Sequence, residues 1–354
     1  RHYDPEPPTW AKMIDILRFW ASKGVDGFRC DMAHMVPVDF WRAAIPRVKE
    51  INPDIIFIAE IYDVALYRQY IYSAGFDYLY DKVNLYDSLR AIETANHSAA
   101  TLTSCWQTVD GIGGRMLNFL ENHDEQRFAS DQYAGDAVRV VPSLIVSAMM
   151  STGPFMVYAG QELGEKGDQA EGYSGPDGRT TIFDYWSIPT VRRWLNHGTC
   201  DGPLTEGEKA LREMYARVMR LCNEEAAISR GKFFDLMYVN YDNPRFNPHR
   251  QYAFMRVNGN DVLVIMVNFD DADTEVSVNV PAHAFEYFGL PRGFAVATDL
   301  LSGQESLKAF SDEVPFTTNI PAHGAVVWKI DARALTPAAS ASPARSSRIK
   351  KKQK

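Results

Sequence analysis

Between residues 8 and 23, Trp10, Ile14, Leu17 and the Trp20/Ala21 pair recur at the spacing of one helical face. Thr9 is placed to cap this helix and Lys23-Gly24 to stop it. Residues 25–31 then read as a short strand. Residues 38–50 form a second helix, broken by Asn52-Pro53. The run from Ile55 to Ala59 is wholly apolar and ends on Glu60. Such runs mark strands buried on both faces, as in parallel sheets. The rhythm repeats: strands are predicted at 78–83, 116–120 and 154–158, and a helix at 138–150. Alternating strands and helices point to a parallel α/β architecture.

Residues 160–200 are rich in Gly and aromatics and read as loops, with a helical piece near 190–196. A clear amphipathic helix follows at 205–224, with Leu211, Met214/Tyr215, Val218 and Leu221/Cys222 on one face. The texture then changes. Short β-type runs at 252–257, 262–269, 274–280, 294–299 and 325–330 are separated by Asn, Asp, Gly and Pro. They predict an antiparallel β-sandwich domain over 230–331. Residues 1–229 are assigned to the α/β part. Residues 332–354, Ala/Ser/Pro-rich and then basic, are expected to be a disordered tail.

Composition narrows the picture. The 354 residues are 46% hydrophobic, enough for a large core and more than one domain. A net charge of −8 leaves no electrostatic footprint for nucleic acid. The longest apolar stretch, around 144–150, is too short to cross a membrane. Aromatics suit stacking on sugar rings as well as core packing. Cys30, Cys105, Cys200 and Cys222 show no metal spacing; they read as free thiols, which lean toward a reducing compartment.

The chemistry sits at predicted strand ends, where (β/α)8 barrels place their sites. Arg29 and Asp31 are two apart on a strand and leave on one face. The cation favours the ionised Asp31, as a nucleophile needs; a structural ion pair is the other reading. Glu60 emerges from an apolar strand. Burial and the Asp31 charge would both raise its pKa, making it a candidate general acid, or it is a strand-terminal surface residue. His123 and Asp124 end a third strand and could bind substrate hydroxyls, ligate a metal or serve structure alone.

Taken together, these segments resemble signature regions of glycoside hydrolase family 13, the α-amylase family. Gly27-Phe28-Arg29-Cys30-Asp31-Met32-Ala33-His34, Phe57-Ile58-Ala59-Glu60 and Phe119-Leu120-Glu121-Asn122-His123-Asp124 are similar to its second, third and fourth. The resemblance implies a (β/α)8 TIM barrel, of which strands four to eight are present, followed by a C-terminal β domain. It implies Asp31 as nucleophile, Glu60 as acid/base and Asp124 as stabiliser, with Arg29, His34 and His123 as substrate-site residues. The implied activity is retaining hydrolysis of α-glucosidic bonds in starch- or glycogen-like glucans or maltooligosaccharides. A transglycosylase of the same family shares the carboxylates; residues 160–186 are expected to line the acceptor side and decide between them. A non-catalytic relative and a metal-dependent hydrolase using His34, His123 and Asp124 are the remaining alternatives.

The family's earlier Asp…Asn-His signature is absent from this sequence. The first three strands are therefore expected to lie outside it, leaving sheet edges open and the 354-residue chain unstable or inactive alone. No cofactor is identified. Calcium remains possible for a full-length protein, although no EF-hand-like loop is present.

Overall fold

The computed structural model describes residues 3–169, 175–183, 187–195 and 202–336. Five short strands, β1 (Gly27–Cys30), β2 (Ile56–Ala59), β3 (Tyr78–Tyr80), β4 (Met116–Phe119) and β5 (Phe155–Met156), form one parallel sheet in sequence order. These are the five barrel strands expected from sequence. β1 and β5 are its edges. The register pairs Cys30 with Ala59 and Asn118 with Phe155, so the residues after β1 and β2 emerge side by side.

Helices α1 (Pro8–Ser22) and α2 (Val38–Lys49) pack together on one face of the sheet. Phe57 on β2 belongs to one buried cluster with Trp41, Ile45 and Val48 there. Ile58, Tyr80, Leu117 and Phe119 form a separate cluster from the opposite strand parity, which is the alternation of a strand buried on both sides. Two details of α1 differ from expectation. Pro7 is its N-cap and Pro8 its first residue, so Thr9 lies inside the helix. Trp20 is exposed, with Met13, Ile16 and Phe19, whereas Ile14 and Ala21 are buried. Gly24 does end the helix, with φ +88.

Several further helices follow: α3 (Tyr67–Gln69), α4 (Asp87–Thr94), α5 (Thr101–Thr108), α6 (Val140–Met149), α7 (Pro189–Leu195), α8 (Glu206–Glu224) and α9 (Ala226–Ser229). The strand expected over 78–83 stops at Tyr80, because Lys82–Tyr86 winds into a helical turn. The predicted helix at 190–196 is α7; Asn196 lies outside the described residues. Thr205 caps α8 in a capping box with Glu208. The apolar stretch at 144–150 belongs to α6, a core helix, and no described helix is long and apolar enough to cross a membrane.

The C-terminal strands are β6 (Lys232–Asp235), β7 (Gln251–Asn258), β8 (Asp261–Asn268), β9 (Thr274–Val278), β10 (Gly293–Asp299), β11 (Glu305–Phe310), β12 (Phe316–Ile320) and β13 (Gly324–Asp331). They form an antiparallel six-stranded sheet, β11-β10-β13-β8-β7-β6, and a pair, β12-β9. A helix, α10 (Ala282–Phe288), interrupts them. The expected start of the tail at 332 is too early. Ala332–Ala334 forms a turn and Thr336 bridges to Phe294. The rest of the tail lies outside the described residues.

The two parts share one core. Leu144, Ile145 and Met149 of α6 cluster with the buried strands of the β-sandwich. Arg256 on β7 pins the junction by donating to the carbonyls of Met150, Ala227, Ile228 and Gly231 at 2.7–3.2 Å. Burial among these carbonyls pulls its pKa down to about 10.

Candidate active site

Every candidate carboxylate lies just beyond the C-terminal end of a strand: Asp31 after β1, Glu60 after β2 and Asp124 after β4. Glu60 is the most constrained, only 2% exposed. Its Oε1 accepts from the Tyr62 hydroxyl at 2.8 Å and lies 2.7 Å from Arg29 Nη2. Its Oε2 accepts from the Met32 backbone N–H at 2.8 Å. Met32 reaches that position in a left-handed conformation, φ +42, which turns the chain back over β2.

Arg29 therefore contacts Glu60 more closely than Asp31, which it meets at 3.6 Å. The sequence pairs Arg29 with Asp31 through their shared face and sets the Asp31 charge against Glu60. The register of β1 with β2 instead puts the cation in contact with Glu60. Burial opposes the charge on Arg29, but the Tyr80 hydroxyl and the Glu60 and Asp31 carboxylates outweigh it and raise its pKa. The guanidinium also lies over the Tyr80 ring, 5.5 Å from its centroid. Asp31 is the open member, with its side chain 78% exposed.

His123 Nε2 lies 3.2 Å from Asp124 Oδ2. Their loop is held from both sides. Asn122 Oδ1 accepts from the N–H groups of Asp124 and Glu125. Arg179 Nε donates to the Asp124 carbonyl at 2.6 Å and Nη1 pairs with Asp177. Beneath it Glu121 and Arg127 form a fully buried ion pair at 2.8 Å, and Arg127 also reaches Thr180 Oγ1 and the Ala159 carbonyl. Burial raises the Glu121 pKa despite Arg127. His34 sits on a turn after β1, its ring 6.4 Å from that of Tyr62, with Nδ1 buried and unpartnered among the described residues. A cavity of about 390 Å³, lined by His123, Tyr158, Thr181 and Ile188, adjoins the Asp124 side. Of the loop expected to line the acceptor side, residues 170–174 and 184–186 lie outside the described residues.

The structure adds residues that sequence did not single out. Tyr62 bridges to Glu60; burial and the Glu60 charge hold its pKa far above the usual phenol range, so it keeps its proton. Lys82 pairs with Asp87 at 2.8 Å and Glu125 at 3.1 Å, and lies over the Tyr62 and Tyr86 rings. Lys82 lies inside the strand expected over 78–83, whereas β3 ends at Tyr80, so no strand-end signal marked it. Tyr62 is in a loop and carries no such signal. Among the described residues no three His, Cys, Asp or Glu gather as a metal cluster, so His34, His123 and Asp124 are not brought together as one.

A parallel barrel-type sheet with carboxylates beyond three of its strand ends defines the class as a barrel protein with a strand-end site. Residues 6–182 match the model of the alpha amylase catalytic domain, and residues 250–330 that of the alpha galactosidase C-terminal beta sandwich domain. The chain belongs to the α-amylase family, glycoside hydrolase family 13. It is similar to alpha-amylase MalA of Haloarcula japonica, with 25% identity over 84% of this chain and 37% of that protein. It is also similar to alpha-1,4-glucan:maltose-1-phosphate maltosyltransferase 2 of Streptomyces coelicolor, with 24% identity over 79% of this chain and 38% of that protein. The chain thus spans little more than a third of the curated relatives it matches. A solved alpha-amylase from Anoxybacillus shares the fold at TM-score 0.68 and 19% identity, over 92% of this chain and 64% of that one.

Proposed function

We propose that the protein carrying this chain is a retaining α-glycosidase acting on α-glucosidic bonds of starch- or glycogen-like glucans or maltooligosaccharides. The observation that carries the reading is Glu60: a nearly inaccessible carboxylate fixed by Arg29, Tyr62 and the Met32 N–H, in register beside Asp31. In the first step Asp31 attacks the anomeric carbon, the glycosidic C–O bond breaks, and Glu60 gives its proton to the leaving oxygen. In the second, Glu60 takes a proton from water. The water oxygen bonds to the anomeric carbon and Asp31 leaves as carboxylate.

The surroundings of Glu60 suit both halves of this cycle. As a base it is a carboxylate facing three donors. As an acid it needs an acceptor, and the Tyr62 hydroxyl can turn its proton away and accept. Asp124, with His123, would hold sugar hydroxyls, Arg29 would orient Glu60 and His34 would face the acceptor side. The names of the relatives, alpha-amylase, neopullulanase and cyclomaltodextrinase, support α-glucan chemistry.

The test is the stereochemistry of maltotetraose cleavage, followed by NMR as products form. Retention of the α-anomer with full loss of turnover in Asp31→Asn is expected; inversion, or an active Asp31→Asn protein, would falsify the assignment. A maltosyl-transferring reading draws on a 56-residue stretch 41% identical to a maltosyltransferase of Cereibacter sphaeroides. Transfer would show as products longer than the substrate.

A further inference from the structure

The cavity of about 390 Å³ beside Asp124 is lined by residues that lie in loops. His123 follows β4, and Tyr158 and Ala159 follow β5. Thr181, Ile182 and Ile188 come from the stretch between β5 and α7. Loop backbone keeps one shape only where its polar groups find partners, so each of these pieces needs an anchor.

Glu165 anchors two of them. It is 2% exposed, and four donors converge on its carboxylate. Oε1 accepts from the backbone N–H groups of Lys166 at 3.1 Å and Gly167 at 3.0 Å. Oε2 accepts from the N–H of Thr190 at 3.2 Å and from its hydroxyl at 2.5 Å. Thr190 is the second residue of α7, two positions after Ile188, which is buried in one cluster with Leu163 and Val191. The other hold runs through Gly167, φ +62. It packs so closely on Gly178 that a Cβ there would come within 2.7 Å of the Gly178 carbonyl oxygen. Gly178 begins the run that reaches the cavity at Thr181. Its carbonyl accepts from the Arg127 N–H at 2.7 Å, Thr180 Oγ1 accepts from the Arg127 guanidinium, and Arg179 Nε donates to the Asp124 carbonyl. One oxygen of Glu165 thus backs the 178–182 wall and the other backs Ile188. A carboxylate this buried is costly unless donors meet it, and its donors here belong to the segments it joins. They fill its roughly four acceptor sites, so Glu165 acts through what it holds and not by touching a ligand.

We propose that Glu165 is a positioning residue for substrate binding: it clasps the loop after β5 to α7 and so sets the cavity wall beside a sugar held at Asp124. The inference rests on the glycosidase reading given above. Neither Asp31 nor Glu60 lines this cavity, so a displaced wall is felt alike by substrate and transition state. The loss then falls on KM more than on kcat.

Steady-state hydrolysis of maltotetraose by the whole protein tests this. In Glu165→Ala, KM should rise about tenfold and kcat fall by less than about threefold. Glu165→Gln keeps an acceptor for the Lys166 and Gly167 N–H groups and should lie between the two proteins. Thr190→Val removes only the hydroxyl donor and should raise KM about threefold, which serves where Glu165→Ala does not fold. An unchanged KM in Thr190→Val or in folded Glu165→Ala, or a fall in kcat alone, overturns the proposal and leaves the catalytic reading standing. Calorimetry with maltotetraose separates the two readings, with Glu60→Gln stopping any turnover. If the whole protein never cleaves maltotetraose yet binds it, and Glu165→Ala weakens that binding about tenfold, the catalytic reading fails and the positioning role stands.

Discussion

Tyr62 is two residues beyond Glu60, and its hydroxyl shares Glu60 Oε1 with Arg29. In the proposed cycle that hydroxyl is the one partner of Glu60 able to change from donor to acceptor. Tyr62→Phe removes a hydrogen bond to a charged group, worth about 1.5–3 kcal/mol, and should therefore lower kcat by about 10- to 10²-fold with KM little changed. Steady-state rates on maltotetraose check this; a rise in KM alone would place Tyr62 in substrate binding instead. At this scale the sequence was partly legible. Asp31, Glu60, His123 and Asp124 stand at strand ends that hydrophobic runs announce. The partner of Arg29 was not, because same-face spacing within β1 says nothing about what β2 brings beside it.

At the scale of elements, the His123-Asp124 loop depends on the buried Glu121–Arg127 pair. Removing one partner of such a pair costs about 3–5 kcal/mol, because the other charge is left buried. Arg127→Ala should show a loss of that size in urea unfolding, and the double change Glu121→Gln/Arg127→Met should recover much of it. A loss below about 1 kcal/mol would mean that the loop is held elsewhere. Strongly patterned elements were legible: α8 with its amphipathic face, and β7 and β8 with their apolar runs. β6, β11 and β12 were not, since β11 and β12 mix exposed polar positions into short runs and β6 is four residues long. The residues after Tyr80 curl into a helical turn because Asn84 hydrogen-bonds Asp81 and the Cys105 carbonyl.

For the molecule as a whole, the junction between α/β part and sandwich carries a pH dependence. Glu93 on α4 is buried, and desolvation lifts its pKa to about 7 against the pull of Arg139 and Ser143. A carboxyl whose folded pKa exceeds its unfolded one favours folding while protonated. That contribution is complete near pH 4.5 and is lost as pH rises to about 7, up to about 3 kcal/mol by linkage. Glu93→Gln should therefore match the unsubstituted protein in urea near pH 4.5 and be more stable at pH 8. Equal stability of the two at pH 8 would show that Arg139 and Ser143 fully compensate the burial.

The sequence by itself determined the strand and helix rhythm, the change to β texture near residue 230 and the family resemblance. Each rests on local pattern: apolar periodicity, breakers and short motifs that keep their spacing in any environment. Only the tertiary structure decided that Arg29 meets Glu60, that Tyr62 and Lys82 crowd the same site, and that Arg256 and α6 join the two parts through one core. It also decided that Glu165 joins the loop after β5 to α7. Those outcomes follow from register and from the packing of segments tens to hundreds of residues apart, which no local pattern encodes.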